Sequence, residues 1–287
     1  MGVLPGIDAA HPVILITGAN TGIGRITAIH LAKLGACMVL AGRDPQRTAP
    51  VVQEIQTLTG RADAARFLPL DLADLHSVRQ AAQAFEAWGL PLHALINNAG
   101  VAGAKGQTRQ GFELAFGTNH LGHFHLTQLL LPLLLKTPQS RVVTVASRAH
   151  LAALNGITWE SLEQVTRSRF GITEYAVSKL ANILFASELA RRHASQGLLS
   201  YSLHPGVIKT EVWRHAPWWA QPLFALRRMK TPLEGAQTTL HCVLHASPEQ
   251  NGLYFSNCQP RTPGDHASNP LLARQLWERS VAWTKDF

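Results

Sequence analysis

The chain has 287 residues, 46% of them hydrophobic and only 15% charged, below the roughly 25% charge of ordinary soluble domains. Such a chain can bury a large core, which excludes disorder and a fibrous or linker-like protein. Lys and Arg number 26 against 18 Asp and Glu, a formal charge of +8 carried by 19 Arg and 7 Lys, and this balance admits nucleic acid, an anionic membrane surface or a phosphorylated ligand as partner.

Three cysteines, Cys37, Cys242 and Cys258, lie far apart without CxxC spacing, so neither a disulfide framework nor a structural zinc site is expected and a reducing, cytoplasmic compartment fits. Residues 1–11 carry neither a basic n-region nor an apolar h-region, so no signal peptide is expected. The most apolar window, Leu129 to Leu135, is interrupted by Pro132 and is far shorter than the roughly 20 residues of a spanning helix.

Val13 to Thr17 is a short β-branched run, followed by a Gly-rich turn and then apolar residues at helical spacing from Ile23 to Leu34. The pattern repeats as strand Cys37 to Ala41, helix Pro45 to Leu58, strand Arg66 to Leu70, helix Asp74 to Trp88 and strand Leu92 to Ile96. A helical stretch from Gly111 to Leu135 leads to strand Arg141 to Ala146, and a long helix from Gly171 to His193 leads to strand Leu198 to Leu203. Alternation of this kind predicts one α/β domain over residues 1–287, a doubly wound, Rossmann-type parallel sheet of about seven strands with helices on both faces. After His204-Pro205-Gly206 the pattern changes: Trp213, Trp218, Trp219 and Phe224 mix with Arg214, Arg227, Arg228 and Lys230 among Pro217, Pro222 and Pro232, so residues 205–235 read as a small substrate lid. The remainder reads as helix Leu233 to Ala246, strand Gly252 to Phe255 and helix Pro270 to Thr284.

Thr17-Gly18-Ala19-Asn20-Thr21-Gly22-Ile23-Gly24 stands between the first strand and first helix, where glycines let backbone N–H groups approach a pyrophosphate and the helix N-terminus favours negative charge. The second strand ends in Ala41-Gly42-Arg43-Asp44: Arg43 suits a 2′-phosphate, while Asp44 is the rival residue, able to accept ribose hydroxyls. Asp71-Leu72 ends the third strand, where the carboxylate either meets an adenine amino group or caps the next helix. Tyr175 and Lys179, four apart in a helix, share a face, and an ammonium beside a phenol favours the phenolate, giving an acid/base pair. Ser147 follows a strand at the carboxyl end of the sheet, where its hydroxyl can orient a carbonyl.

Taken together, TGANTGIG at 17–24, NNAG at 97–100, Asn119 in NHLGH, Ser147, YAVSK at 175–179 and HPG at 204–206 resemble the short-chain dehydrogenase/reductase family. AGRD, FGTNHLGHFHLT, SKLANILFASELA, LHPGVIKTEV and EGAQTTLHCVL further resemble its retinol dehydrogenase branch, which acts on retinal and other lipid aldehydes with NADPH. The resemblance implies that Tyr175 is the general acid in carbonyl reduction and base in alcohol oxidation, that Lys179 lowers its pKa and holds the nicotinamide ribose, that Ser147 polarises the substrate oxygen, and that Asn119 holds a water joining Lys179 to solvent. It also implies an NADPH/NADP+ site: the turn at Gly18, Asn20, Thr21, Gly22, Ile23 and Gly24 on the pyrophosphate, Arg43 on the 2′-phosphate, and Asp71, Leu72, Asn98, Ala99 and Gly100 toward the adenosine. Pro205, Gly206, Val207 and Thr210 would lie at the carboxamide. Three departures stand out: the strand ends in Ala146-Ser147 where many relatives have two serines, the 28-residue interval from Ser147 to Tyr175 is long and puts the loop Arg148 to Phe170 over the pocket, and residues 1–11 are not the apolar anchor of membrane-bound relatives.

The expected activity is therefore reduction of a small hydrophobic aldehyde or ketone, retinal-like, with a broad carbonyl or steroid reductase as runner-up. A cofactor-sensing binding protein is the reading from another class, and the presence of Ser147, Tyr175, Lys179 and Asn119 together argues against it. Neither His120, His123 and His125 nor His241 and His245 have a carboxylate or Cys at ligand spacing, so no metal is expected. The arginines are dispersed and no nucleic-acid module is present, so no nucleic-acid partner is expected. The Trp213 to Lys230 segment suits either a lid packed on its own domain or a peripheral membrane contact, and the helices Gly111 to Leu135 and Gly171 to His193 are candidates for a homo-oligomer surface.

Overall fold

A computed structural model describes residue 7, residues 9–206 and residues 231–287. Val207, Thr210 and the Trp213 to Lys230 segment lie outside the described residues. The first strand, β1 (Val13–Thr17), is buried throughout, as a β-branched run covered on both faces should be. It is followed by α1 (Gly22–Lys33), β2 (Cys37–Gly42), α2 (Pro45–Thr59), β3 (Ala65–Pro69), α3 (Leu75–Ala87) and β4 (Ala94–Asn97). Then come the single turn α4 (Leu114–Phe116), α5 (Gly122–Lys136), β5 (Arg141–Val145), α6 (Ile172–His193), β6 (Leu199–His204), α7 (Pro232–Leu244), β7 (Tyr254–Ser256), β8 (Gln259–Arg261) and α8 (Pro270–Thr284).

The strands form one sheet in the order β3-β2-β1-β4-β5-β6-β7-β8, parallel from β3 through β7. Successive strand residues point to opposite faces, so the sheet serves two cores. Ile14, Ile16, Met38 and Leu40 pack with Leu31 of α1, Ile55 of α2 and Leu240 of α7. Val13, Leu15 and Val39 pack with Phe85 of α3, Leu126 of α5 and Phe185 of α6. The chain leaves β1 toward β2 on one side and returns at β4 on the other. Ligands of such sheets bind at this reversal, outside the carboxyl ends of the strands.

The expected doubly wound architecture is the one observed, with two differences. First, β8 pairs antiparallel with β7 through a two-residue turn in which Asn257 (φ 53°) and Cys258 (φ 60°) are both left-handed. That conformation is the one a tight hairpin needs, but it is normally signalled by glycine, so the sequence did not announce it. Second, the stretch expected as one helix from Gly111 to Leu135 is broken into α4, a π-helical turn at Gly117–Leu121, and α5. Glu113 starts it by accepting the N–H of Phe116. The π turn inserts an extra residue into the helical repeat, which helices do mainly at functional positions. Here it carries the fully buried Asn119.

Among the described residues no helix is long and apolar enough to cross a membrane. The C-terminal helix α8 packs on α6 and α5, with the Trp277 ring centroid 5.1 Å from that of Phe124 and 6.0 Å from that of Phe185, and with Arg192 stacked 4.7 Å over it. Part of the face offered by the sequence as an oligomer surface is thus covered by the chain's own last helix. Truncating this ring leaves a large cavity between three helices. Trp277→Ala should therefore destabilise the fold by about 3–5 kcal/mol, read from urea unfolding midpoints at constant m-value.

Candidate active site

A cavity of about 890 Å³ opens at the carboxyl ends of the strands. Every site residue expected from the sequence and lying within the described chain lines it except Asn119, which sits one layer behind. The turn after β1 is shaped for a pyrophosphate. Gly18 has φ +68°, and a Cβ there would lie 2.9 Å from Ala99; a Cβ on Gly24 would lie 2.5 Å from the Asn98 amide and from the Gly18 carbonyl oxygen. Thr21, at the N-cap of α1, makes no side-chain capping bond and no acid stands in the first turn, which leaves the positive end of the helix facing the cavity. A dinucleotide phosphate fits such a cradle.

At the adenosine end both sequence alternatives are exposed and line the cavity. Asp44 is the N-cap of α2, with one carboxylate oxygen accepting the Arg47 N–H at 3.1 Å, and Arg43 stands beside it. Asp71 is not the N-cap of α3; that position belongs to Asp74, which accepts from the His76 N–H, while Asp71 accepts from the Ala73 N–H and faces the cavity. Asn98 spends its side-chain amide on the carbonyls of Thr17 (2.7 Å) and Gly18 (3.2 Å), so it buttresses the phosphate turn while its loop walls the cavity. Arg47 and Thr48 also line the cavity and were missed by the motif reading; their signal was position, four and five residues beyond Arg43 on the first turn of α2.

The residues expected to react come from three elements. Ser147 follows β5, with its hydroxyl accepting the Ala149 N–H at 3.1 Å and bonded to the Tyr175 phenol. Tyr175 and Lys179 face one another on α6, with Nζ 5.7 Å from the ring centroid. Burial pushes the phenol up to about 12, opposed by the Ser147 hydrogen bond, which is the opposite net direction from that expected of a neighbouring ammonium alone. Burial also pulls Lys179 down to about 8, and its ammonium donates to the Val145 carbonyl at 2.8 Å. At neutral pH the phenol is therefore a proton donor and not a standing phenolate. Asn119 is held from both sides: its amide oxygen accepts the Val101 N–H at 2.7 Å, and its amide nitrogen donates to the Val101 carbonyl and the Ser178 hydroxyl. Gly100 permits the close approach, since a Cβ there would lie 3.2 Å from Asn119 Oδ1 and 3.5 Å from Lys179 Nζ.

Of the loop Arg148 to Phe170, only the first turn, at Arg148, Ala149, Leu151 and Ala152, lines the cavity. Its later part packs away, with Leu162 buried against α6 and Trp159 beneath Arg279 of α8. Two residues outside every motif anchor this region. His150 donates its Nδ1–H to the Ser147 carbonyl (2.7 Å) and accepts the Gly264 N–H at Nε2 (3.1 Å). The buried Glu113 accepts from Thr166 and Phe116 while burial pushes its carboxyl above the usual range.

The sequence matches the short chain dehydrogenase family over residues 12–220. It is 44% identical over 275 residues to human retinol dehydrogenase 11, covering 93% of this chain and 84% of that protein. Among solved structures it is similar to an uncharacterized protein from Mycobacterium paratuberculosis, at a TM-score of 0.74 with 34% identity over 98% of this chain and 96% of that one. It is also similar to a short chain dehydrogenase from Escherichia coli CFT073 complexed with NADPH, at a TM-score of 0.67 with 27% identity over 87% of this chain and 97% of the other.

Two histidines behind the site give it an acid limit. Burial pulls His120 down to about 3 and His123 to about 4, from 6.5. Each is depressed in the fold, so the unfolded chain binds the extra protons; stability is complete above about pH 6.5 and is lost as pH falls toward 4. Urea unfolding should show stability falling between pH 6.5 and 4.5 by up to about 1.4 kcal/mol per pH unit for each of these histidines. Replacing His120 by Phe should remove only its own share of that slope, since His123 and His125, both pulled down to about 4 by burial, still titrate.

Proposed function

The chain belongs to the short-chain dehydrogenase family, and from that premise we propose that it reduces a small hydrophobic aldehyde or ketone, retinal-like or another lipid carbonyl, with NADPH. Nicotinamide-dependent oxidoreduction and kinship with retinol dehydrogenases come with the family; the phosphorylated cofactor, the substrate class and the residue roles are the proposal. The observation that carries it is the constellation of half-buried Ser147 with buried Tyr175 and Lys179, standing at the same cavity as the phosphate cradle. The bound cofactor supplies a hydride to the carbonyl carbon.

The chain's own groups handle the oxygen. A carbonyl oxygen placed between the Ser147 and Tyr175 hydroxyls accepts a hydrogen bond from each. As negative charge develops on it, the phenol O–H of Tyr175 delivers its proton and the bond to the alcohol oxygen forms. A phenol raised to about 12 is protonated at neutral pH, the form needed for reduction. The phenolate left behind is stabilised by the Lys179 ammonium and is reprotonated from solvent along a path past Asn119. In the alcohol-oxidising direction the phenolate form of Tyr175, stabilised by the Lys179 ammonium, takes the proton of the alcohol hydroxyl.

Preference for NADPH rests on Arg43. The neighbouring acid, Asp44, also lines the cavity but uses one carboxylate oxygen to cap α2, while the Arg43 guanidinium at the same wall is suited to two phosphate oxygens. The apolar character of the substrate rests on the exposed Leu151 at the cavity and on kinship with the retinol dehydrogenases.

Two substitutions separate these assignments. Tyr175→Phe should lower kcat for retinal or a medium-chain aldehyde by about 100-fold to 10,000-fold while leaving the NADPH dissociation constant within about twofold, because it removes the proton donor and not the phosphate site. Normal turnover in that variant would defeat the acid assignment. Arg43→Ala should weaken NADPH by about 10-fold to 100-fold and change NADH little, as expected for loss of charge-assisted hydrogen bonds. Equal losses for the two cofactors, measured by fluorescence titration, would overturn the 2′-phosphate role.

A further inference from the structure

His123, the last residue of the NHLGH stretch and without a role assigned to it from the sequence, is 1% exposed and lies one turn after Asn119. Its Nδ1 is 2.9 Å from the Asn119 carbonyl oxygen and its Nε2 is 2.8 Å from the Thr17 hydroxyl. The hydroxyl settles which nitrogen carries the proton. Thr17 Oγ1 accepts the N–H of Asn98 at 3.0 Å and of Ala99 at 2.9 Å, which fills both of its lone pairs. Its single hydrogen is then directed to Nε2, the Ile96 carbonyl being much farther at 3.5 Å. Nε2 must be the acceptor, and Nδ1–H donates to Asn119. A neutral imidazole of one tautomer satisfies every partner, and burial keeps it neutral.

From this geometry we infer that His123 is a positioning residue, joining the phosphate turn after β1, the loop after β4 and the Asn119 turn into one unit through the Thr17 hydroxyl. The inference rests on the cofactor site of the proposed function. Its consequence is specific. The Thr17 hydroxyl holds the loop that carries Asn98 and Ala99, Asn98 in turn holds the carbonyls of the phosphate turn, and Ala99 lies against Gly18. Removing the imidazole acceptor frees the hydroxyl hydrogen to turn toward other acceptors and leaves the Asn119 carbonyl without its donor. Both changes loosen the cofactor wall without touching Arg43, so NADPH and NADH should suffer alike.

The test is titration of NADPH and NADH into wild type, His123→Leu, His123→Gln, Thr17→Val and Thr17→Ser, with melting temperatures measured in parallel. His123→Leu and Thr17→Val should each weaken both cofactors by the same factor, roughly tenfold, the loss of about one buried hydrogen bond. His123→Gln restores an acceptor facing Thr17, and Thr17→Ser keeps the hydroxyl, so both should recover most of the affinity. Rescue of affinity by these conservative variants is a result that general loosening of the fold does not produce. Should His123→Leu fail to fold, His123→Phe, which keeps a ring of similar volume without an acceptor, carries the same decision. Unchanged affinity in the His123 variant that lacks an acceptor, or equal loss in the conservative variants, overturns the inference alone. Absence of cofactor binding by the wild type overturns the proposed function and this inference with it.

Discussion

Everything at the carboxyl edge of the sheet depends on how closely two loops approach one another, the turn after β1 and the loop after β4. β1 and β4 are paired neighbours, so their loops meet at the point where the chain reverses direction across the sheet. A Cβ on Gly18 would stand 2.9 Å from Ala99, and one on Gly24 would meet the Asn98 amide at 2.5 Å. Such proximity brings unpaired backbone groups together, and each must find a partner. The Thr17 hydroxyl and the Asn98 side chain supply them, one taking two N–H groups and the other giving to two carbonyls. The result is a rigid lip over the end of α1.

Burial makes the chemistry of the other half of the site. Tyr175 and Lys179 are both nearly inaccessible, at 8% and 3%, and low polarity pushes their ionisations in opposite senses, toward a protonated phenol and a less basic amine. These shifts favour the neutral forms of both groups: the phenol keeps its proton at neutral pH, and a phenolate formed there would depend on the neighbouring Lys179 ammonium for its stability. The ammonium is steered by the Val145 carbonyl and not by a carboxylate, which keeps it available to a second oxygen at the cavity.

The same economy of partners explains the histidines. Fourteen of them in one chain invite a metal reading, yet the rings resolved near the site are used for neutral hydrogen bonds: His123 between Thr17 and Asn119, His150 between Ser147 and Gly264, and His120 against Ser280. A neutral imidazole offers one donor and one acceptor on opposite sides of a rigid ring, a geometry well suited to bridging two backbone segments.

Periodicity and glycine placement carried most of the fold. The all-apolar runs at β1, β2 and β4 need cover on both faces, which only helices on each side provide, and the glycine turn after β1 announced the phosphate cradle. Tyr175 and Lys179 were legible because helical spacing alone sets them side by side. What the sequence could not decide was competition between neighbouring groups. Arg43 and Asp44 both face the cavity, and that Asp44 also serves as the cap of α2 is decided only in the fold. The net shift of Tyr175 depended on how deeply α6 is buried, and the break in the helix before α5 depended on packing against residues distant in the chain. Local spacing is set by bond geometry and can be read from one segment; partner choice and desolvation depend on segments that only the folded chain brings together.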